Sequence, residues 1–165
     1  MKKVTRDVAI ILIAFTLVFL DVYYFSFLSV KGVIMLSSSL MVIIFSLLQT
    51  RDQFYILALS TVIFMAIFSS LPSWLVVVIY LIIPASILYL RNNFLPEPSI
   101  ISSLFYFIPA LSLVSLFMMI GLAGWNMSGL VTSIYFIIAN SLFGFFLFTV
   151  IKTLRQRGSA NRIRI

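Results

Sequence analysis

The run Leu130-Val-Thr-Ser-Ile-Tyr-Phe-Ile-Ile-Ala-Asn-Ser-Leu-Phe-Gly-Phe-Phe-Leu-Phe-Thr-Val-Ile151 carries no charged side chain, and Lys152-Thr-Leu-Arg155-Gln-Arg157 follows it at once. A helix needs roughly 20 apolar residues to cross the hydrocarbon core of a bilayer. This run has that length, and its basic flank reads as a stop-transfer signal. The rest of the chain repeats the pattern. Similar apolar segments run from about Val8 to Leu28, Val33 to Leu48, Phe54 to Ser70, Trp74 to Leu90 and Ile101 to Ala123.

The breaks between these segments are short. Lys31-Gly32, Thr50-Arg51-Asp52-Gln53 and Leu71-Pro72-Ser73 interrupt the first four, and Gly124 to Gly129 closes the last hairpin. The longest loop, Arg91 to Ser99, contains two prolines that oppose helix. The sequence therefore predicts an all-α integral membrane bundle of about six transmembrane helices, with one membrane domain over residues 1–165. Composition agrees: 63% of the residues are hydrophobic and 9% charged, against about 45–50% and about 25% in a soluble domain. The apolar run at the N-terminus is too long for a signal-peptide core and no A-x-A-like cleavage site follows it, so it reads as a retained helix.

Charge sets an orientation. With the N-terminus inside and six alternating spans, Lys2, Lys3, Arg6, Arg51, Arg91, Lys152, Arg155, Arg157, Arg162 and Arg164 fall on one side. Only Lys31 falls on the other, which the positive-inside rule explains. Both termini are thus expected in the cytoplasm, and residues 152–165 form a basic cytoplasmic tail. The net charge of +7 reads as an orientation signal rather than a nucleic-acid footprint. The tail also suits anionic lipid or a cytoplasmic partner. Tyr23, Tyr24, Trp74 and Trp125 fall near the outer interface, as an aromatic belt would.

The chain contains neither cysteine nor histidine, which removes thiolate ligands and the commonest general base. No phosphate loop, zinc-protease helix, nucleophile elbow or dinucleotide fingerprint occurs. No enzyme, metal or cofactor is expected. The acids are Asp7, Asp21, Asp52 and Glu97, too few inside the membrane for a proton relay. Asp21 alone lies within an apolar run, about 20 Å along the first helix. Its expected place is the outer headgroups, hydrated or paired with Lys31. A partner contact or polar cavity is the alternative reading. Ser133, Asn140, Ser141 and Gly144 form a small, polar stripe that suits close helix packing, with a homodimer or partner face as the alternative. Ser37 to Ser39, Ser60, Thr61, Ser69 and Ser70 are expected to bond back to their own helices. Pro84 and Pro109 are expected to bend the helices that hold them.

The segment Ala66-Ile-Phe-Ser-Ser-Leu-Pro-Ser-Trp74 resembles the D-L-F-S-P-L-P-F-G segment of the MreD family of bacterial rod-shape-determining membrane proteins. Phe68, Ser69, Leu71 and Pro72 match it, whereas Ala66 and Trp74 stand where that family has aspartate and glycine. Arg91-Asn-Asn-Phe-Leu-Pro-Glu-Pro-Ser-Ile100 is similar to the loop before the family's fifth helix, and the length and basic tail also resemble it. The resemblance implies a non-enzymatic inner-membrane scaffold for cell shape and lateral wall elongation, with an MreC-like partner. A second reading is a small-molecule-binding membrane subunit of the energy-coupling-factor transporter type. Asp21 and Trp125 would then contribute to an outer pocket.

Overall fold

A computed structural model describes residues 2–25, 36–94, 99–121 and 127–162. Helix α1 (Lys2–Phe19) passes without a break into a π-helical segment (Leu20–Phe25). Then follow α2 (Ser37–Leu48), α3 (Arg51–Phe68), α4 (Ser73–Val77), a second π-helical segment (Val78–Ile82), α5 (Ile83–Asn93), α6 (Leu104–Gly121) and α7 (Met127–Arg162). Since α4, the π segment and α5 form one continuous span (Ser73–Asn93), the described residues contain five helices long and apolar enough to cross a bilayer. The all-α membrane-bundle class is as expected.

The second segment is the exception to six equal spans. The described part of it, α2, has 12 residues, about 18 Å at 1.5 Å per residue. That is short of a hydrocarbon core of about 30 Å. Its position explains its composition. Ten of its residues are buried, including Ser37, Ser38, Ser39 and Ser46, because α2 runs inside the bundle against α1, α3, α5 and α7. A helix apolar all round is a buried helix. The other helices surround it and turn Val8, Leu12, Ile63, Phe105, Ile134 and Phe146 outward, the surface that lipid rather than water would cover.

Local sequence sets the ends. Gln53 Oε1 accepts the Thr50 N–H at 3.4 Å and the Thr50 hydroxyl at 3.1 Å, which starts α3 after a two-residue turn. Ser69 closes α3: its hydroxyl donates to the Met65 carbonyl at 2.7 Å, and its Oγ accepts the Leu71 N–H at 3.4 Å. Pro72 then starts α4, its carbonyl accepting from Leu75 and Val76. Pro84 has no N–H for the Tyr80 carbonyl. The turn before it is the wider π form, which is how the span absorbs the proline. The last helix does not stop at Ile151: α7 stays helical to Arg162, so most of the basic tail extends the membrane helix.

Packing fixes the directions. Phe15, late in α1, packs edge-on against Phe64 and Phe68, late in α3, with centroids 5.4 and 6.0 Å away. Thus α1 and α3 run parallel, with α2 antiparallel between them. Gly144 brings α7 close to the core: a Cβ there would sit 3.0 Å from Leu40 Cδ2 and 3.0 Å from Phe107 Cε1. Small residues permit this approach where lipid supplies no hydrophobic drive between helices.

Candidate functional site

The polar groups of the bundle gather at the two ends of α2. A helix N-terminus leaves N–H groups without partners, which is costly where no water reaches. Here the partners come from other helices. Asp21 Oδ1 accepts the Ser37 N–H at 2.9 Å and the Ser37 hydroxyl at 2.5 Å. Asp21 Oδ2 accepts the Ser38 N–H at 2.8 Å and also the Ser38 hydroxyl. Asn140 Oδ1, from α7, accepts the Leu36 N–H at 3.2 Å, while Asn140 Nδ2 donates to the Phe136 carbonyl at 3.0 Å. A carboxylate at the positive end of the α2 dipole is favourably placed, and four donors suit its ionised form.

The node extends further. The Ser38 hydroxyl lies 3.4 Å from the Tyr80 hydroxyl, which can donate to it in turn. Asp21 belongs to the first π-helical segment and Tyr80 to the second. The two π turns among the described residues therefore meet at Ser38, and π turns recur at functional positions in helices. Tyr80 is seven residues inside the span from Ser73 and eleven from Arg91, so the node lies about 10 Å from one end and about 16 Å from the other.

This corrects the expected setting of Asp21. It is 4% exposed, inside the protein rather than hydrated, because the α2 N-terminus supplies the solvation that headgroup water would have given. The expected partner Lys31 lies outside the described residues, as does Trp125. Ser37 and Ser38 are corrected with it: they donate to Asp21 instead of back to their own helix. Thr61 and Ser69 do bond back, to Leu57 and Met65. The stripe on α7 faces inward: Asn140, Ser141 and Gly144 are buried and Ser133 is half-buried. The hydroxyls of Ser39 and Ser141 are buried without a hydrogen-bond partner.

At the other end of α2 the last carbonyls take cationic donors. Arg91 donates to the Gln49 carbonyl at 3.3 Å and Arg155 to the Leu48 carbonyl, which complements the negative end of the dipole. Arg51 begins α3 just beyond, and Lys152 stands one turn before Arg155 with its ammonium 5.7 Å from the Phe148 ring centroid. Because α1 parallels α3, Arg6 points to the same end. The described structure thus groups these basic residues at one end of the bundle. Of the tail residues Lys152, Arg155, Arg157, Arg162 and Arg164, the side chains of the last three lie outside the described set.

Tyr80 is a site residue that the sequence did not single out, whereas Ser37 and Ser38 were expected to bond back and Arg91 was expected only as an orientation charge. A signal existed for the serines: a buried carboxylate needs donors, and a serine run opening a helix supplies hydroxyls and N–H groups together. Phe68, Ser69, Leu71 and Pro72 form the α3–α4 turn, away from the node. No family profile matches this chain, and neither a curated protein nor a solved structure matches it.

Proposed function

We propose that this chain is a non-catalytic component of a membrane assembly, acting as an MreD-like scaffold for cell-shape or lateral wall-elongation machinery through an MreC-like membrane partner. The observation that carries the scaffold reading is the use of the polar interior. Both Asp21 oxygens and the Asn140 amide are engaged in fastening α2 to α1 and α7. That arrangement braces a helix and leaves the outer face as the surface that meets other molecules. The turn Phe68, Ser69, Leu71 and Pro72 and the basic helical tail support the family assignment by resemblance. The grouped basic end, on the positive-inside rule, faces the cytoplasm with both termini.

Affinity capture from native membranes tests the reading, followed by depletion in living cells. Recovery of wall-elongation membrane proteins and loss of rod shape on depletion are expected. Depletion that leaves shape unchanged but abolishes uptake of one nutrient would overturn it in favour of the transporter-subunit reading. That second reading predicts a thermal shift with one vitamin-sized solute.

A further inference from the structure

A groove of about 370 Å³ opens sideways between α5 and α6. Its floor is Ile83, Ile87, Tyr106 and Ala110, all buried, and its rims are the exposed Leu90, Phe105 and Leu113. The hydroxyls in the wall are turned to backbone: Ser86 donates to the Ile82 carbonyl at 2.9 Å and Ser102 to the Ser99 carbonyl at 3.3 Å. Pro109 and Ala110 together give α6 a narrow side that leaves the volume open.

The groove is also polarised along the membrane normal. Its α5 wall runs from Ile83 to Leu90 and its α6 wall from Leu113 back to Phe105, with Ser102 just before that helix, about 10 and about 12 Å of helix. One leaflet of a hydrocarbon core about 30 Å thick is little deeper. The groove ends at Leu90, the residue before Arg91 in α5. Arg91 shares that end of the bundle with Arg51, Lys152 and Arg155, all near the C-terminus of α2. A partner transmembrane helix would need a channel the length of the bilayer, whereas this one serves a single leaflet and has a cationic mouth.

We infer that the α5–α6 groove is a binding site for one acyl chain of an anionic phospholipid, with the headgroup phosphate at Arg91. A chain lies in the apolar slot. The Arg91 guanidinium donates to the Gln49 carbonyl and to Asn92 Oδ1, so it acts on the headgroup through its charge at the leaflet surface, where anionic lipid is attracted to basic residues. The site is independent of the scaffold role and requires only that the bundle sit in a membrane.

The test is lipid retention by the full-length protein through controlled delipidation, read by native mass spectrometry, with phosphatidylglycerol and phosphatidylcholine in competition. Wild type is expected to retain phosphatidylglycerol preferentially. Arg91→Gln is expected to lower that preference roughly fivefold, the effect of one basic residue near a membrane surface. Ser86→Phe, on the rim, fills the slot without touching Arg91 and is expected to lose the retained lipid of either headgroup. Equal retention of the two lipids by wild type would overturn the proposal, as would full retention by a Ser86→Phe protein of wild-type helicity. Arg91 also holds the Gln49 carbonyl, so where Arg91→Gln does not fold the wild-type competition and Ser86→Phe decide alone. A photoreactive residue at Leu113 that crosslinks to a protein segment instead of lipid would likewise overturn it.

Discussion

The Arg155 guanidinium donates to the carbonyl of Leu48, a residue 107 positions away in the chain. Eleven residues earlier, at the opposite end of the same helix, Asp21 accepts the Ser37 N–H at 2.9 Å. One short buried helix is thus held at its positive end by a carboxyl group and at its negative end by guanidinium groups. The groups come from α1, α5 and α7, so α2 links spans that are far apart in sequence. This follows from the solvent: backbone groups at a helix end inside a bilayer must be satisfied by protein.

Asp21→Asn keeps the shape of the side chain but removes its charge and turns one acceptor oxygen into a donor facing donors. Hydrogen bonds to a charged group contribute about 1.5–3 kcal/mol, and the expected loss of stability for Asp21→Asn is of that order. Ser38→Ala, which leaves both N–H contacts to Asp21, is expected to cost about 1 kcal/mol. Thermal unfolding of the detergent-solubilised proteins checks both. An Asp21→Asn protein as stable as wild type would contradict the capping role.

Two glycines separate packing from permissiveness. A Cβ at Gly144 meets Leu40 and Phe107 at 3.0 Å, and both neighbours are fully buried. A Cβ at Gly121 meets Leu75 Cδ2 at 3.0 Å and Trp74 Cζ2 at 3.2 Å; Leu75 is fully buried, but Trp74 is 48% exposed and can swing outward. Gly144→Ala is expected to cost about 1–3 kcal/mol, the range for overpacking a tight core, and Gly121→Ala less, because one of its two neighbours can give. Parallel melting curves decide; equal losses would mean that Trp74 is as confined as Phe107.

The membrane class and the boundaries of five of the six segments to within a few residues were legible because they depend on length and apolarity along the chain; the described Arg6, Arg51, Arg91, Lys152 and Arg155 group at one end, as charge along the chain suggested. The Gly144 and Asn140 stripe was legible as packing for the same reason. The setting of Asp21 was not. Its burial depends on α2 beginning inside the bundle at Ser37, and the serine run that opens the helix does not by itself say that Asp21 lies against it. Tyr80 was hidden likewise: one hydroxyl in an apolar span shows its use only when Ser38 is known to lie beside it.

The last expectation concerns orientation, and the absence of cysteine makes it directly measurable. Asp52 follows Arg51 at the start of α3, Asn93 ends α5 close to Arg91, and Gln156 follows Arg155 on α7; all three are exposed. They share the end of the bundle that holds the basic residues. Ser70 is exposed at the α3–α4 turn, at the opposite end. If the basic end faces the cytoplasm, Ser70→Cys is expected to react with a membrane-impermeant thiol reagent added to intact cells. Asp52→Cys, Asn93→Cys and Gln156→Cys are expected to react only after the membrane is opened. The grouping at one end makes the outcome all-or-none: the three must behave alike. Labelling of all three from outside would invert the protein in the membrane, and a split among them would contradict the arrangement of the helices itself.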